Sequence, residues 1–290
     1  MAGVCTEGID TGFVALGYGK VAVLGVVQGI TELLPISSTA HMRVVPALLG
    51  WRDPGSAFSA AMQLAALAAV VSYFWGDIRR LATGSVSAVV RLDFKDKDFR
   101  FSLGIVVATI PIVIFGLLLS KLLNTCDTPL RSLPVIGISC VVMGSLLVLG
   151  QLYCNHTRKA EDATMLDFII VGIAQVGALI PGVSRSGSTL TAAMFRDFEA
   201  DEAARFSFLM GLPAITAAGL KEFVELYKAG IGLEAWSILI FGLVIASASA
   251  FAAIWGLMRL LENFSSWPFA IYRIALGIFL LVGFQFAWLA

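Results

Sequence analysis

The sequence predicts an all-α integral membrane protein with six transmembrane helices plus two re-entrant helix pairs, arranged as inverted-topology repeats. Three observations carry that prediction. Hydrophobic residues make up 58% of the 290-residue chain and charged residues only 14%, against about 45–50% and about 25% in soluble domains. Uncharged runs recur at the length of a bilayer crossing. Two further apolar runs are too short to cross, and each ends in a cluster of polar residues.

The runs 54–76, 101–120, 132–155 and 235–258 each reach the roughly 20 residues that a spanning helix needs. Segments 206–220 and 274–290 are shorter between charges, and Arg205, Lys221 and Arg273 are read as anchors that snorkel to the interface. These make six spans. The first 20 residues carry Glu7 and Asp10 and no basic leader, so they do not read as a cleaved signal. Cys5, Cys126, Cys140 and Cys154 lack metal-ligand spacing. A Cys5–Cys126 disulfide is compatible with the topology, which puts both on one side.

The short helices come next. Residues 20–34 rise only about 22 Å as a helix, against a hydrocarbon core of about 30 Å. Pro35 then removes a backbone donor and breaks the helix. A second short piece, roughly 40–51, ends at Arg52-Asp53. Residues 166–196 repeat the design, with an apolar run to Ile180, a Pro181-Gly182 break and a short helix from about Ser186. Each reads as a re-entrant hairpin with a polar apex at membrane depth, where irregular backbone must be covered by protein or line a cavity.

The halves also match in sequence. Gly25 and Gln28 align with Gly172 and Gln175 at an offset of 147, and Pro35 and Ser38 with Pro181 and Ser184 at 146. Phe58, Met62, Leu64 and Ala66 align with Phe206, Met210, Leu212 and Ala214 at 148. The chain therefore reads as a single polytopic domain over 1–290, with repeat one at about 20–155 and repeat two at about 166–290. One re-entrant pair plus three spans per half inverts the second copy, so that the broken helices meet near the midplane.

Lys and Arg set the orientation. One side receives the basic loop 77–100 together with Arg158, Lys159, Arg196, Arg205, Arg259 and Arg273. The other holds Lys20, Arg43, Arg52, Lys121, Arg131, Lys221 and Lys228. The richer side is expected in the cytoplasm, which turns both termini and the mouth of the first hairpin outward.

The polar clusters carry the chemistry. Gln28 and Glu32 lie four apart and share a helix face, where a carboxylate and an amide carbonyl offer oxygens to a hard cation such as Mg²⁺ or Ca²⁺. Ionisable groups at membrane depth are costly and mark function, although Glu32 also suits bridging of helix ends. His41 follows Ser38 by three residues, close enough for contact across the break. That pairing suits acid–base work or activation of a nucleophile, against a structural role for the histidine. Ser37 and Thr39 add hydroxyls for a substrate. His156 sits in a polar loop and reads as incidental.

The second cluster reads as an anion cradle. Gly182 admits close backbone approach, Ser184, Ser186 and Thr189 offer hydroxyls (with Ser188 beside them), and a helix start presents free N–H groups. Arg185 adds a forked, permanently charged donor for phosphate oxygens, unless it serves only as a partner for Glu32. Together the two clusters specify a phosphate, a metal and a water or hydroxyl.

"QGITE" followed by "LLPISSTAH", with "PGVSRSGSTLT" in the second half, resembles the undecaprenyl-diphosphate phosphatase family of the bacitracin-resistance type. Gln28 and Glu32 fill the family's first motif; Pro181, Gly182, Ser184, Arg185, Ser186 and Thr189 fill its second. The resemblance extends over nearly the whole chain. It implies hydrolysis of a C55 polyprenyl diphosphate to the monophosphate plus phosphate, which regenerates the lipid carrier of cell-wall synthesis in the bacterial cytoplasmic (inner) membrane. Carried over by position, Glu32 with Gln28 matches the metal-binding pair, Arg185 the phosphate-binding arginine, and Ser38 and His41 the hydroxyl and histidine. His41 is the expected base, acting either on Ser38 or on water. The partners implied are the polyprenyl lipid and membrane lipids, with a homodimer open and no nucleic acid.

The main rival is a carrier or flippase for an anionic lipid or phosphate-containing solute, since inverted repeats with broken helices also mark transporters. Glu32, Ser38 and His41 together argue against it. A second rival, the lipid-phosphatase superfamily with a histidine six residues beyond a Ser-Arg pair, fails because Thr191 holds that position.

Overall fold

The structure, a computed structural model, describes residues 5–6, 9–10, 12–119 and 129–286. It is all-helical apart from a minimal antiparallel pairing of Cys5–Thr6 with Ile9–Asp10. Cys126 lies outside the described residues, and with it the expected Cys5–Cys126 bridge.

In chain order the helices are α1 (Gly17–Leu33), α2 (Ser38–Leu48), α3 (Ser56–Ala61), α4 (Gln63–Tyr73), α5 (Trp75–Arg91) and α6 (Lys97–Leu118). Then follow α7 (Leu133–Tyr153), α8 (Met165–Val176), α9 (Arg185–Met194), α10 (Ala200–Lys228), α11 (Leu233–Asn263) and α12 (Trp267–Gln285). Among the described residues, six helical stretches are long and apolar enough to cross a membrane. This is a multi-pass membrane protein.

Five of those stretches overlap five of the expected spans. The sixth differs. Segment 54–76 is interrupted at Met62 and bends by 78° at Phe74 into α5, and the bent pair makes a seventh crossing if it is one broken span. Gly12–Leu33 joins the stretches of crossing length, because a 3-10 turn at Gly12–Leu16 extends α1 to 22 residues. The first helix is therefore longer than the expected 15-residue piece. A second correction concerns α12, which starts at Trp267 and runs straight through Arg273. Arg273 is 1% exposed, so it is no interface anchor and drops out of the orientation count.

Packing places two short helices at the middle of the assembly. α1 lies along α11, and α7 along α12. The latter pair approaches closely at Gly137 and Gly277, where an added Cβ at Gly277 would lie 2.6 Å from the Gly137 carbonyl oxygen. α2 rests Ala40 and Val44 on Ile136, Cys140 and Leu280 of that pair. α9 sends Leu190, Ala193 and Met194 into the largest apolar cluster, with Phe168, Phe198 and Phe206, and Leu33 at the end of α1 joins the same cluster. Burial of a Leu- or Phe-sized side chain stabilises by about 1.5–3 kcal/mol, so each break sits between two apolar anchorages.

A polar staple holds the basic end. Asp167, fully buried in the first turn of α8, accepts from Arg158 and Arg196 at 2.7 Å each and from the Thr164 backbone at 2.7 Å. Nearby, Arg205 binds Asp77 and Arg80 approaches Asp98 at 3.4 Å.

Candidate active site

Both breaks use the same local device. In the first, α1 stops at Leu33, Leu34 is extended and Ser37 takes φ 74° as the N-cap of α2, its hydroxyl facing the Ala40 amide at 3.4 Å. In the second, a 3-10 turn at Gly177–Leu179 ends α8, Gly182 takes φ 96°, and Ser184 takes φ 68° as the N-cap of α9. The Ser184 hydroxyl accepts from the Gly187 amide at 3.1 Å. A left-handed conformation costs a non-glycine residue on the order of 1–3 kcal/mol and concentrates at functional sites. It also leaves Ser38 and Arg185 at the first positions of their helices, where the dipole end is positive.

The two breaks touch. The Ser186 hydroxyl donates to the carbonyls of Glu32 and Leu34, both at 3.2 Å. The Nη2 of Arg185 lies 3.9 Å from Glu32 Oε1. Glu32, Ser38 and Arg185 therefore lie together.

Glu32 is 6% exposed, and its Oε2 accepts from Gln28 at 3.1 Å and from the Ser38 hydroxyl at 2.6 Å. Arg185, with a side chain 10% exposed, has no hydrogen-bond partner on any guanidinium nitrogen among the described residues. Buried donors of this strength are ordinarily satisfied, so this fork is available to an anion. Gly211 of α10 makes room for it: a Cβ there would overlap Nη1.

His41 is engaged differently from the expectation. Its Nδ1 lies 2.7 Å from the Ser37 carbonyl and its Nε2 2.6 Å from the Tyr272 hydroxyl, with the two rings stacked. A carbonyl only accepts, so Nδ1 carries the proton and Nε2 accepts from tyrosine. The Ser38 hydroxyl goes to Glu32 and not to His41. The other hydroxyls also have assignments. Thr189 donates to the Arg185 carbonyl at 2.8 Å and pairs with Ser207, while Ser184 and Ser186 lie 3.2 Å apart. Thr39 is half-buried at the second position of α2.

The profile of the bacitracin resistance protein BacA family matches residues 21–279. The chain belongs to that family. An undecaprenyl-diphosphatase 2 of Mesorhizobium japonicum is 65% identical over 263 residues, covering 91% of this chain and all of that protein. Undecaprenyl-diphosphatases of Trichormus variabilis and Synechococcus elongatus are 50% and 48% identical, over 89% and 90% of this chain and 81% and 91% of their own.

Within this BacA-family site, sequence reasoning missed Tyr272 and Arg273. The rule that singled out Arg185, an arginine where a span should be apolar, applies equally to Arg273. Its place beside the short apolar run 274–290 hides it, because an arginine there reads as the end of a span. Tyr272 carried no signal, since a tyrosine in an apolar helix is ordinary.

The residues present offer a divalent cation a sparse ligand set. Among the described residues no three His, Cys, Asp or Glu side chains gather into a ligand set. Glu32 offers one carboxylate, with the Gln28 amide and Ser38 hydroxyl beside it. Such a set suits an ion shared with substrate phosphates, the usual situation for Mg²⁺, and not a closed protein cage.

Proposed function

We propose that this chain removes the terminal phosphate of undecaprenyl diphosphate, giving undecaprenyl phosphate and inorganic phosphate, and that Ser38 is the attacking group. The observation that carries the reading is the Ser38 hydroxyl hydrogen-bonded to a buried carboxylate, beside an arginine fork that makes no hydrogen bond among the described residues. The family and the names of its relatives support the substrate.

Glu32 takes the Ser38 proton as Oγ attacks the terminal phosphorus. The bond from that phosphorus to the bridging oxygen breaks, and undecaprenyl phosphate leaves. Water then attacks the phosphoserine; Glu32 returns its proton to the departing Ser38 Oγ, and the water keeps one proton on the released phosphate and gives the other to solvent. Arg185 and the amides at the start of α9 neutralise the charge on the transferred group, which is the main requirement of phosphoryl transfer. Mg²⁺ or Ca²⁺ held by Glu32 and Gln28 with the diphosphate would supply further charge neutralisation. His41 holds the Ser37 carbonyl, and through it the backbone that presents Ser38. The geometry favours Glu32 over His41 for the first proton.

Of the residues expected to bind substrate, Ser37, Thr39, Gly182, Ser184, Ser186 and Thr189, we assign most to shaping the two breaks. The N-terminal amides they free contact phosphate.

In this reading α1, although of crossing length, turns back at Pro35 into α2, so that the broken pairs α1/α2 and α8/α9 are both re-entrant and form the hearts of two inverted repeats. The shared Ser N-cap at positive φ supports it. Without Arg273 the basic side still holds eleven Lys and Arg against seven. That count supports a bacterial cytoplasmic membrane with the site open to the outer side. The carrier reading is not favoured, because transport has no use for a serine hydroxyl bonded to a carboxylate.

The test is phosphate release from farnesyl or undecaprenyl diphosphate by purified protein in detergent, with Mg²⁺, Ca²⁺ or EDTA. Release is expected with metal in the wild type and lost with EDTA, in Glu32→Ala and in Arg185→Ala. Substrate binding with no release under any metal would overturn the reading.

A further inference from the structure

The backbone of a broken helix poses a problem that its own residues do not solve. Carbonyls freed at a break have no helical partner, and at membrane depth each unsatisfied group costs several kcal/mol. In the first break, the Glu32 and Leu34 carbonyls accept from Ser186, and the Ser37 carbonyl meets the His41 ring. Three further carbonyls of the breaks are those of Pro35, Gly182 and Val183, the Gly182 oxygen also facing the Cys140 thiol at 3.6 Å. All three go to one side chain.

Arg273 of α12 donates from Nη1 to the Pro35 carbonyl at 3.1 Å, and from Nη2 to the carbonyls of Gly182 and Val183 at 2.8 Å each. One arm of the fork thus holds the first break and the other holds the second. The side chain is 1% exposed and makes no ion pair with a carboxylate among the described residues. A buried cation facing only carbonyls is expensive unless the geometry requires it. The room for it is built in, because a Cβ at Gly187 of α9 would overlap Nη1.

We propose that Arg273 is a positioning residue for hydrolysis, a clamp that fixes the register between the break presenting Ser38 and the break presenting Arg185. Its role depends on the planar fork, since two separated anchor points must be reached at once. A lysine keeps the charge but concentrates its donors at one nitrogen. The inference rests on the phosphatase reading for its kinetic consequence and stands apart from it for its structural one.

The experiment compares wild type with Arg273→Lys, Arg273→Gln and Gly187→Ala in detergent. One arm measures phosphate release from farnesyl diphosphate. The other measures amide hydrogen exchange without substrate, in peptides covering 34–38 and 181–187. A misplacement of about 1 Å costs on the order of 10²-fold in rate. We expect kcat to fall by about that factor in Arg273→Lys while KM stays within a few fold, and exchange to quicken at both breaks. A double-mutant cycle with Ser186→Ala, the other tie between the breaks, should be non-additive.

Unchanged kcat in folded Arg273→Lys, a rise in KM alone, or unchanged exchange at either break would overturn the clamp. If Arg273→Gln fails to fold, Arg273→Lys and Gly187→Ala carry the comparison. Absence of phosphate release by the wild type would sink the phosphatase reading instead, and the exchange arm would still decide the clamp.

Discussion

Ser38 donates a hydrogen bond to the Glu32 carboxylate at 2.6 Å, and Gln28 binds the same oxygen at 3.1 Å. The pair spans the first break, with Glu32 in the last turn of α1 and Ser38 at the first position of α2. A hydroxyl in this arrangement already touches the group that would receive its proton.

That contact predicts a covalent intermediate. Acid quenching during turnover of farnesyl diphosphate labelled in the terminal phosphate should leave label on the peptide containing Ser38. Ser38→Ala should carry none. Glu32→Gln should form it more slowly by about 10²–10⁴-fold, the usual contribution of a positioned base. Full activity in Ser38→Ala would remove the serine from the nucleophile's role and leave water as the attacking group.

Gly211 should control Arg185 without controlling the fold. A methyl group at Gly211 overlaps the guanidinium, whose far end is free to move. Alanine is also the better helix former by about 1 kcal/mol. Gly211→Ala should therefore keep or raise the melting temperature while displacing the arginine. A hydrogen bond to a charged group is worth about 1.5–3 kcal/mol, so KM for farnesyl diphosphate should rise at least about tenfold. An unaltered KM would mean that Arg185 reaches the phosphate from some other position.

The Asp167 staple sets a pH dependence of stability. Burial pushes this carboxyl up, but bonds from Arg158, the Thr164 backbone, Arg196 and the Thr164 hydroxyl outweigh it and hold it below the usual carboxylate range. A group depressed in the folded state stabilises above its unfolded pKa of about 4. That contribution is lost only as pH falls further, toward the folded value. Breaking a buried pair costs about 3–5 kcal/mol; Arg158 and Arg196 remain partly solvated, so about 2–3 kcal/mol is expected for Asp167→Asn. Melting in detergent should show a gap from wild type that is constant between pH 5 and 8, in the order-of-magnitude sense, and that narrows in stronger acid. A gap that widened with acid would reverse the sign and refute the assignment.

The two breaks were legible because proline and glycine interrupt apolar runs at Pro35 and at Pro181-Gly182, and no packing rescues a helix across them. Glu32 and Arg185 were legible because charge at membrane depth is rare. The length of the first helix was not, since the 3-10 turn at Gly12–Leu16 is held by the packing of Phe13 and Leu16 with Val21 and Phe58. Nor was the partner of His41. It lies three positions after Ser38 in the chain, yet the helix turns its ring toward Tyr272, which lies 231 positions away.

By itself, then, the sequence determined the solvent of this protein, the places where its helices break and the residue types collected there. Those follow from local rules: transfer of apolar side chains to lipid, the missing donor of proline, and the cost of an unpaired charge. Only the tertiary structure decided which donor meets which acceptor. It gave Ser38 to Glu32, closed His41 with Tyr272 and carried Arg273 from a supposed membrane edge to the carbonyls of both breaks. The reason is that hydrogen bonds are short-ranged and directional, so their pairing depends on how distant helices pack, and no spacing along the chain encodes that.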